Sequence, residues 1–323
     1  MRRRIKSVKN TQQITKAMKM VAAAKLKRAQ DRVIASRPFA GKMSEVLGDL
    51  STKVAGEVSH PLLDERGDDK YLIVLISADK GLAGAFNANV IKATQAFLKE
   101  NAAKSAEMIP VGRKGRDFFK RRSVKFAEEY VGLTGSGQVV HSDAVAIAQK
   151  IITTFTEDTT IDKVFIVFTE FKTVLSQKPV IEQLLPIPRT SAEESTETGP
   201  QAEYIYEQPA AEIFGKLLPK QIETQIYKGM LESVASEQGS RMTAMDSASK
   251  NAGELIDTLT LNMNRIRQAA ITKEIIEVVS GAAARTPFFA NKKRQDPSAG
   301  PAFFTTRCQS TGSAADRLPR VRY

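Results

Sequence analysis

Few residues of this sequence have the types and spacing that catalysis or phosphate binding requires. The stretch Ser77–Gly84 (SADKGLAG) lies between an apolar run and a helical pattern, which is where nucleotide-binding loops occur. It contains neither G-x-G-x-x-G nor G-x-x-x-x-G-K-[ST], so we interpret its glycines as allowing a tight turn from strand to helix. The basic turn Gly112–Arg116 could contact an anion, although a solvated turn is the simpler interpretation.

The titratable residues form no pattern typical of an enzyme. Asp79 and Glu170 each lie at the end of an apolar run, as catalytic carboxylates often do, but the sequence does not bring them together. The histidines, His60 and His141, are far apart, and we interpret both as loop or surface residues. With Cys308 as the single cysteine, a disulfide framework and a cysteine-based metal site are excluded. We therefore predict no catalytic residue, no metal site and no cofactor on this chain.

Composition predicts a folded protein and leaves the class of its partner open. Hydrophobic residues make up 42% of the 323 residues, which is too many for a chain that is disordered throughout. No run of eighteen apolar residues occurs, so we predict no transmembrane segment. The net charge of +12 is compatible with an acidic protein, a nucleic acid or an anionic membrane surface, and by itself does not choose among them.

The longest helical pattern runs from about Pro209 to Ala284, and the rest of the chain is organised around it. No proline lies between Lys220 and Ala284, so these roughly 65 residues predict a helix of about 100 Å, which needs a partner helix. Its apolar row advances by alternating steps of three and four, as in a supercoiled helix. The predicted row is Met245, Ala248, Ala252, Leu255, Leu259, Asn262, Ile266, Ala269, Lys273 and Ile276.

The end of this helix, Ile271–Ala284, is apolar on nearly every side. A single partner helix can cover only one side of this end, so we expect other chains to surround it. Arg265 and Arg267 lie just before it and can form charge-assisted hydrogen bonds with carboxylates of those chains.

The first segment of the chain supplies the partner helix. Residues 2–42 contain thirteen Lys or Arg and a single acid, Asp31. Two other interpretations of such a segment are a mitochondrial transit peptide and a helix that lies on anionic lipid. The apolar row continues past residue 30 with the period of the long helix, which favours paired helices. That row is Ile5, Val8, Gln12, Thr15, Lys19, Ala22, Leu26, Ala29 and Val33. We expect Pro38 to bend the helix, which resumes through Val46 and Leu50.

The middle of the chain alternates strand and helix patterns, which predicts an α/β layer fold with a mostly parallel sheet. Predicted strands are Tyr71–Ile76, Met108–Val111, a possible edge strand Val124–Val131, and Val164–Phe168. Predicted helices are Asn87–Lys99, Lys114–Arg121 and one capped by Ser142. Because the first helix leads into this region and the last leads out, the two should pair antiparallel, with the α/β domain at one end.

These patterns divide the chain into four parts. We predict an N-terminal coiled-coil helix at residues 1–57 and an α/β, Rossmann-like foot domain at residues 58–207. A C-terminal coiled-coil helix follows at residues 208–284. Residues 285–323 are rich in proline and small residues and carry a net charge of +6, and we predict a disordered extension there.

Several motifs, in the same order along the chain, resemble those of a known family. They are Asn10–Met18 (NTQQITKAM), Ser77–Leu82 (SADKGL), Gln183–Pro186 (QLLP), Ser236–Gln238 (SEQ), Arg241–Met245 (RMTAM) and the signature ITKEIIEVVSGAA that begins at Ile271. The chain resembles the gamma subunit of the F-type ATP synthase, of bacterial type, over about residues 2–284. The cysteine common in the Gly81–Gly84 motif of that family is absent here.

The resemblance implies a central-stalk rotor subunit that couples rotation of a membrane ring to ATP synthesis or hydrolysis in a catalytic hexamer, with no catalytic site of its own. It implies as partners the alpha/beta hexamer, the epsilon-type subunit and the proton-driven ring, and no nucleic acid. The residues implied to contact the hexamer are Met18, Lys19, Arg267, Gln268, Thr272 and Glu274. Those implied to lie against the ring and the epsilon-type subunit are Tyr204, Tyr206 and Glu207.

The implied location is the cytoplasmic side of the inner (plasma) membrane, as a peripheral protein, with the matrix side of the mitochondrial inner membrane as the alternative. Two other functions remain compatible with the residues alone. One is a free coiled-coil protein that binds nucleic acid or membranes through its basic first helix, and the other is a nucleotide-binding α/β enzyme.

Overall fold

A computed structural model describes residues 1–53, 60–135, 137–187 and 209–285. The chain forms two compact units, one of residues 1–266 and one that begins at Arg267. Its elements are α1 (Arg2–Lys53), β1 (Lys70–Ile76), α2 (Phe86–Glu100), β2 (Ser105–Val111), α3 (Arg113–Lys120), α4 (His141–Glu157), β3 (Lys163–Phe171), β4 (Gln177–Leu185) and α5 (Ala210–Arg285). In the part of the chain that is described, no helix is long and apolar enough to cross a membrane.

The sheet is mixed, with the strand order β2-β1-β3-β4. β1 pairs in parallel with β2 and β3. A short turn connects β3 to β4, and these two strands pair antiparallel. The prediction of a mostly parallel sheet missed β4 because four of its nine residues, QKPVIEQLL, are polar and one is proline. Since β4 lies at the edge of the sheet, its polar side chains and Pro179 are tolerated.

Alternating residues of β1 face two separate apolar layers. Leu72, Val74 and Ile76 pack in the core that also contains buried residues of α1, α4 and α5. Ile73 and Leu75 point to the other side, where residues of α2 and α3 cover the sheet. All five side chains are fully buried, which explains why this strand appears in the sequence as a continuous apolar run.

Three local predictions differ from the structure. Residues 124–131 form no strand, and only Phe126 and Tyr130 make isolated bridges to β2. Ser142 does not cap α4: the residue before the helix is Val140, whose side chain cannot cap it. Finally, α1 continues through Pro38 without the expected interruption.

The row predicted on α1 is the side that packs within the first unit. Ala22, Leu26, Ala29 and Val33 are buried, and the row members nearer the N-terminus, from Ile5 to Lys19, are half-buried. On α5 the predicted row is correct at Met245 and Ala252, which are buried, and at Ala248 and Leu259, which are half-buried, but it is wrong at two other positions. Leu255 and Asn262 are exposed, whereas the neighbouring Ile256 and Met263 are half-buried.

Candidate functional site

The first half of α5 is anchored in the core of the first unit. Its buried apolar residues recur every fourth position, at Phe214, Leu218, Ile222, Ile226 and Met230. From Leu231 to Gly239 every residue is buried, so the helix is covered on all sides there. A segment enclosed in this way cannot turn relative to the sheet without breaking the packing of the whole unit.

Two serines bind the covered part of α5 to β3. The Ser233 hydroxyl accepts a hydrogen bond from the Thr169 backbone N–H at 3.2 Å. The Ser236 hydroxyl donates one to the Thr169 carbonyl at 3.1 Å. Because the two serines are three positions apart, they lie on the same side of the helix and satisfy both backbone groups of one strand residue.

A buried ion pair attaches the same part of α5 to the Ser77–Gly84 loop. The Glu237 carboxylate and the Arg241 guanidinium are 2.6 Å apart, with 4% and 11% of their side chains exposed. Arg241 also donates a hydrogen bond to the Gly81 carbonyl at 3.3 Å. Burial raises the pKa of Glu237, and Arg241 opposes that effect.

Asp79, in the same loop, is a buried carboxylate whose two oxygens are occupied by hydrogen bonds. It accepts hydrogen bonds from the backbone N–H groups of Arg113, Gly132 and Thr134 and from the Thr134 hydroxyl, at 3.0–3.1 Å. Burial acts to raise the pKa of Asp79, but the four hydrogen bonds together outweigh it, and the pKa is lowered. Asp79 therefore joins β1 to α3 and to the segment after it.

The loop and the basic turn do not form a phosphate cradle. The first three N–H groups of α3, those of Arg113, Lys114 and Gly115, donate to Asp79, to the Ala78 carbonyl and to the Ser77 hydroxyl. These are the donors that would otherwise bind an anion at a helix N-terminus. Gly112 is required at this approach, since its φ is +110° and a Cβ there would lie 2.1 Å from the Ser77 carbonyl oxygen.

Two of the predicted contact residues lie where α1 meets α5. The Lys19 ammonium is 2.6 Å from the Asp246 carboxylate, and Met18 beside it is half-buried. A second contact joins the same helices, because the Gln12 amide donates to the Ser249 carbonyl at 3.3 Å. Lys19 thus has a partner within its own chain that the helical pattern alone does not predict. The signal for it in the sequence is the acid at position 246, next to Met245 of the predicted row.

The other four predicted hexamer contacts lie in the second unit. Arg267, Gln268, Thr272 and Glu274 are all exposed, and Thr272 donates only to the Gln268 carbonyl of its own helix. Arg267 and Glu274 have no ion-pair partner among the described residues. These side chains are therefore available to another molecule.

The same segment exposes a set of large apolar side chains. They are Ile271, Ile275, Ile276, Val278 and Val279, each between 47% and 71% exposed. At 3.6 residues per turn they cover about 160° of the helix, while Arg267, Lys273, Glu274 and Glu277 fall on the remaining side. Such an apolar surface on a single helix is typical of a segment that binds other chains.

The remaining predictions concern the ring contacts, the C-terminal extension and metal binding. Tyr204, Tyr206 and Glu207, predicted to contact the ring, lie outside the described residues, as do Cys308 and the rest of the predicted extension 285–323 after its first residue, which ends α5. Among the described residues, no group of three or more His, Cys, Asp or Glu side chains is placed to hold a metal ion.

Comparison with known proteins gives a consistent result. The family model described as ATP synthase matches residues 1–284. The ATP synthase gamma chain of Solibacter usitatus is 51% identical over 286 residues, which are 88% of this chain and 97% of the relative. The gamma chain of Geotalea daltonii is 50% identical over 87% of this chain and 96% of its own. The chain belongs to the ATP synthase gamma chain family.

Solved structures agree with this family. The central stalk and c-ring structure of the Tetrahymena thermophila mitochondrial ATP synthase contains a chain 29% identical to this one, with a TM-score of 0.56 over 73% of this chain and 99% of that chain. A chain of the Euglena gracilis mitochondrial ATP synthase, at 18% identity, shares the fold with a TM-score of 0.59 over 93% of this chain and 97% of that one. The resemblance found in the sequence is thus confirmed, and with it the assignment to the central stalk of an F-type ATP synthase.

Proposed function

We propose that this gamma chain is the rotor shaft that couples rotation of a membrane ring to ATP synthesis or hydrolysis in a surrounding catalytic hexamer. The observation that carries the proposal is the contrast within α5. One part of the helix is enclosed by the first unit, whereas the part in the second unit exposes five large apolar side chains. A shaft needs both properties, because torque must enter through a rigid anchorage and leave through contact with other chains.

The proposal includes an antiparallel coiled coil of α1 and α5. Supporting it, residues later in α1 contact residues earlier in α5: Lys19 pairs with Asp246, and Gln12 bonds to Ser249. The row of small and apolar residues on α1, with Ala22 and Ala29 buried, is compatible with close helix packing. The proposal includes the division of the chain into four parts, with boundaries after residues 57, 207 and 284.

The proposed contacts with the hexamer are Met18, Lys19, Arg267, Gln268, Thr272 and Glu274, and those with the ring and epsilon-type subunit are Tyr204, Tyr206 and Glu207. In this function the chain is a non-catalytic subunit, since the nucleotide sites lie on other chains. Rotation can change the affinities of those sites only if the shaft contacts their states differently. An apolar side and a charged side on one helix provide such a difference.

We propose that the complex is peripheral to the cytoplasmic side of the plasma membrane, or alternatively to the matrix side of the mitochondrial inner membrane. Free nucleic-acid or membrane binding by α1 is less well supported, because its apolar row packs within the first unit and Lys19 is paired to Asp246. A nucleotide-binding function is less well supported because the N–H groups at the start of α3 are already bound.

Single-molecule rotation tests the proposal. A Cys308→Ser, Glu100→Cys chain, with the new thiol on the exposed end of α2, is assembled with the alpha and beta subunits and labelled with a bead. The hexamer is fixed to a surface, and ATP is added. We expect the bead to rotate in one direction and to stop when ATP is removed. Beads that stay fixed in complexes that hydrolyse ATP would contradict the rotor function.

A further inference from the structure

The turn that follows α3 places a serine directly after three basic residues. Its sequence is Lys120-Arg121-Arg122-Ser123, followed by Val124. The lysine ends α3, and the next three residues form the turn. None of the proposed contacts with the hexamer, the ring or the epsilon-type subunit uses this turn, so it has no role in the function described above.

The side chains of the turn are available to another molecule. All four residues from Lys120 to Ser123 are exposed. None of the three cations has an ion-pair partner among the described residues, whereas the nearby Lys125 pairs with Glu107 at 2.6 Å. The Ser123 hydroxyl forms no hydrogen bond with the same part of the chain. A free hydroxyl and three cations without a described acid beside them therefore lie together at the surface.

The backbone of the turn is held by long hydrogen bonds. The Ser123 N–H donates to the Lys120 carbonyl at 3.2 Å, and the Val124 N–H donates to the Phe119 carbonyl at 3.4 Å. Both distances lie beyond the usual 2.9–3.0 Å of such bonds. Ser123 also has a φ of +55°, a left-handed conformation that residues with a side chain rarely adopt.

Straightening the five residues from the lysine to the valine would remove few contacts. Arg122 would lose a hydrogen bond to the Phe119 carbonyl and its stacking over the Phe118 ring, and Val124 would leave a half-buried position. Phe119 precedes the straightened segment, so its buried side chain could stay in the core. The backbone of Ser123 would leave its strained conformation. The turn can therefore open locally while the first unit stays folded.

We propose that Ser123 is a phosphorylation site for a basophilic serine kinase, an enzyme that transfers a phosphoryl group from ATP to serines that follow basic residues. Such an enzyme holds its substrate as an extended segment and selects it by charge. Carboxylates of the kinase bind the cations before the serine, and an apolar pocket accepts the residue after it. Lys120, Arg121 and Arg122 supply the cations, and Val124 supplies the apolar residue.

The transfer makes one bond and breaks one. The Ser123 Oγ attacks the γ-phosphorus of ATP, and the bond from that phosphorus to the bridging oxygen breaks, so that ADP leaves with the electron pair. A carboxylate of the kinase takes the hydroxyl proton. The phosphate brings a charge of about −2, which lowers the charge of the turn and its preceding lysine from +3 to about +1. The neighbouring cations can pair with the phosphate once it is attached.

Ser7 provides a comparison within the same chain, because a similar sequence lies there in a different structure. It follows Arg4 and Lys6 and precedes Val8. These residues belong to α1, and Val8 is half-buried in the apolar row of that helix. Straightening them would take apart the beginning of α1 and withdraw a member of the row. The sequence pattern does not separate the two serines, whereas the structure favours Ser123.

Phosphorylation of the full-length chain tests the proposal. The probe is the catalytic subunit of cyclic-AMP-dependent protein kinase with radiolabelled ATP, and mass spectrometry locates each phosphate. We expect labelling of Ser123 at a rate at least tenfold above that of Ser7, because opening α1 costs more than opening the turn. Ser123→Ala should abolish the labelling assigned to this turn, whereas Ser7→Ala should leave it unchanged.

A charge change tests how the turn is recognised. Arg121→Ala should slow the labelling of Ser123 about tenfold, since a cation bound by the kinase is lost. Arg113→Ala removes an exposed cation at the other end of α3 and should have no effect. Both variants should retain the circular dichroism melting curve of the parent chain.

A synthetic peptide with the sequence of residues 117–127 is the positive control for the kinase. If the peptide is labelled and Ser123 of the folded chain is not, the turn does not open to the enzyme and the proposal is overturned. Faster labelling of Ser7 than of Ser123, or an unchanged rate in folded Arg121→Ala, would also overturn it. The rotation assay is independent of these results.

Discussion

Lys19 of α1 and Asp246 of α5 are 227 residues apart in the sequence, and their side chains form an ion pair with 2.6 Å between Nζ and Oδ1. Asp246 is also 3.1 Å from Lys250, one turn later in α5. One carboxylate therefore joins the two helices at a place where the predicted row of α1 is polar. A polar residue in such a row costs stability but selects the register in which two helices pair.

Removing either member of this pair should weaken the contact between α1 and α5. We expect Lys19→Ala and Asp246→Asn each to lower the melting temperature slightly, and the double variant to lose less than the sum of the two. The hydrogen bond from Lys19 lowers the pKa of Asp246. Its contribution is thus present above the ordinary aspartate pKa and is lost as the pH falls through the lowered value. Thermal denaturation at pH 7 and pH 3 measures the coupling.

High salt is the control for this interaction. Because both side chains are partly exposed, 1 M NaCl should reduce the coupling between the two substitutions. Equal coupling at low and high salt would show that the effect comes from packing instead of charge.

Asp79→Asn should destabilise the first unit by about 2–3 kcal/mol, since an amide cannot accept all four hydrogen bonds and no longer carries the charge that strengthens them. The pKa of Asp79 is lowered in the folded protein, so its contribution is present above the ordinary aspartate pKa and is lost as the pH falls through the lowered value. The variant should therefore lose less stability than the parent on acidification. Urea denaturation between pH 7 and pH 3 measures both effects.

Asp117→Asn is the matched control for Asp79. Its carboxylate pairs with Arg116 and is 44% exposed. We expect a change below about 1 kcal/mol, as for other exposed ion pairs. A similar loss in the two variants would mean that the buried hydrogen bonds of Asp79 have no special effect.

Arg241→Gln should leave the Glu237 carboxylate buried without its ionic partner and cost about 3 kcal/mol at pH 7. Burial already raises the pKa of Glu237, and loss of the opposing Arg241 charge should raise it further. A carboxyl with a raised pKa binds its proton more tightly in the folded state, so the variant should lose stability as the pH rises above the ordinary glutamate pKa. Urea denaturation at pH 5 and pH 7 should show the larger loss at pH 7.

The double variant Glu237→Gln, Arg241→Gln separates charge from shape. With both charges removed, most of the stability lost in Arg241→Gln should return, and its dependence on pH should disappear. If the double variant were as unstable as the single one, the lost contact of Arg241 with Gly81 would explain the effect instead.

Ile275→Ser and Ile276→Ser should leave the stability of the isolated chain unchanged, because the two side chains are 57% and 59% exposed. In the assembled complex each should lower the yield of assembly or the rate of ATP hydrolysis several-fold, since an apolar contact with other chains is lost. Co-purification with the alpha and beta subunits, followed by an ATPase assay, measures both quantities.

Val140→Ser, a change at an exposed apolar position before α4, is the control. It should affect neither assembly nor ATP hydrolysis. Normal assembly and turnover in both isoleucine variants would contradict the proposed contact of this segment with the hexamer.

Some elements can be predicted from local sequence because their residues are compatible with one arrangement only. The row from Ile5 to Val33 on α1 is predicted correctly because its members follow steps of three and four with the same period as the long helix, which separates them from apolar residues such as Ile14 and Val21 that are exposed. β1 was predicted correctly because six consecutive apolar residues need burial on both faces of a sheet. The apolar residues of Ile271–Val279 were assigned to contact with other chains, which remains a prediction.

Other features depend on contacts in the folded chain, because the local residues are equally compatible with two arrangements. Leu255 and Ile256 are both apolar, and the position of α5 against its neighbours places the second inward. Asp79 ends a strand as a catalytic carboxylate would, yet backbone N–H groups from residues 113–134 surround it. β4, whose apolar residues are interrupted by polar ones and a proline, forms because β3 offers it an unpaired edge. For α5 and for Asp79 the deciding partners are distant in the sequence, and their approach depends on packing of the whole unit, which periodicity and composition do not encode.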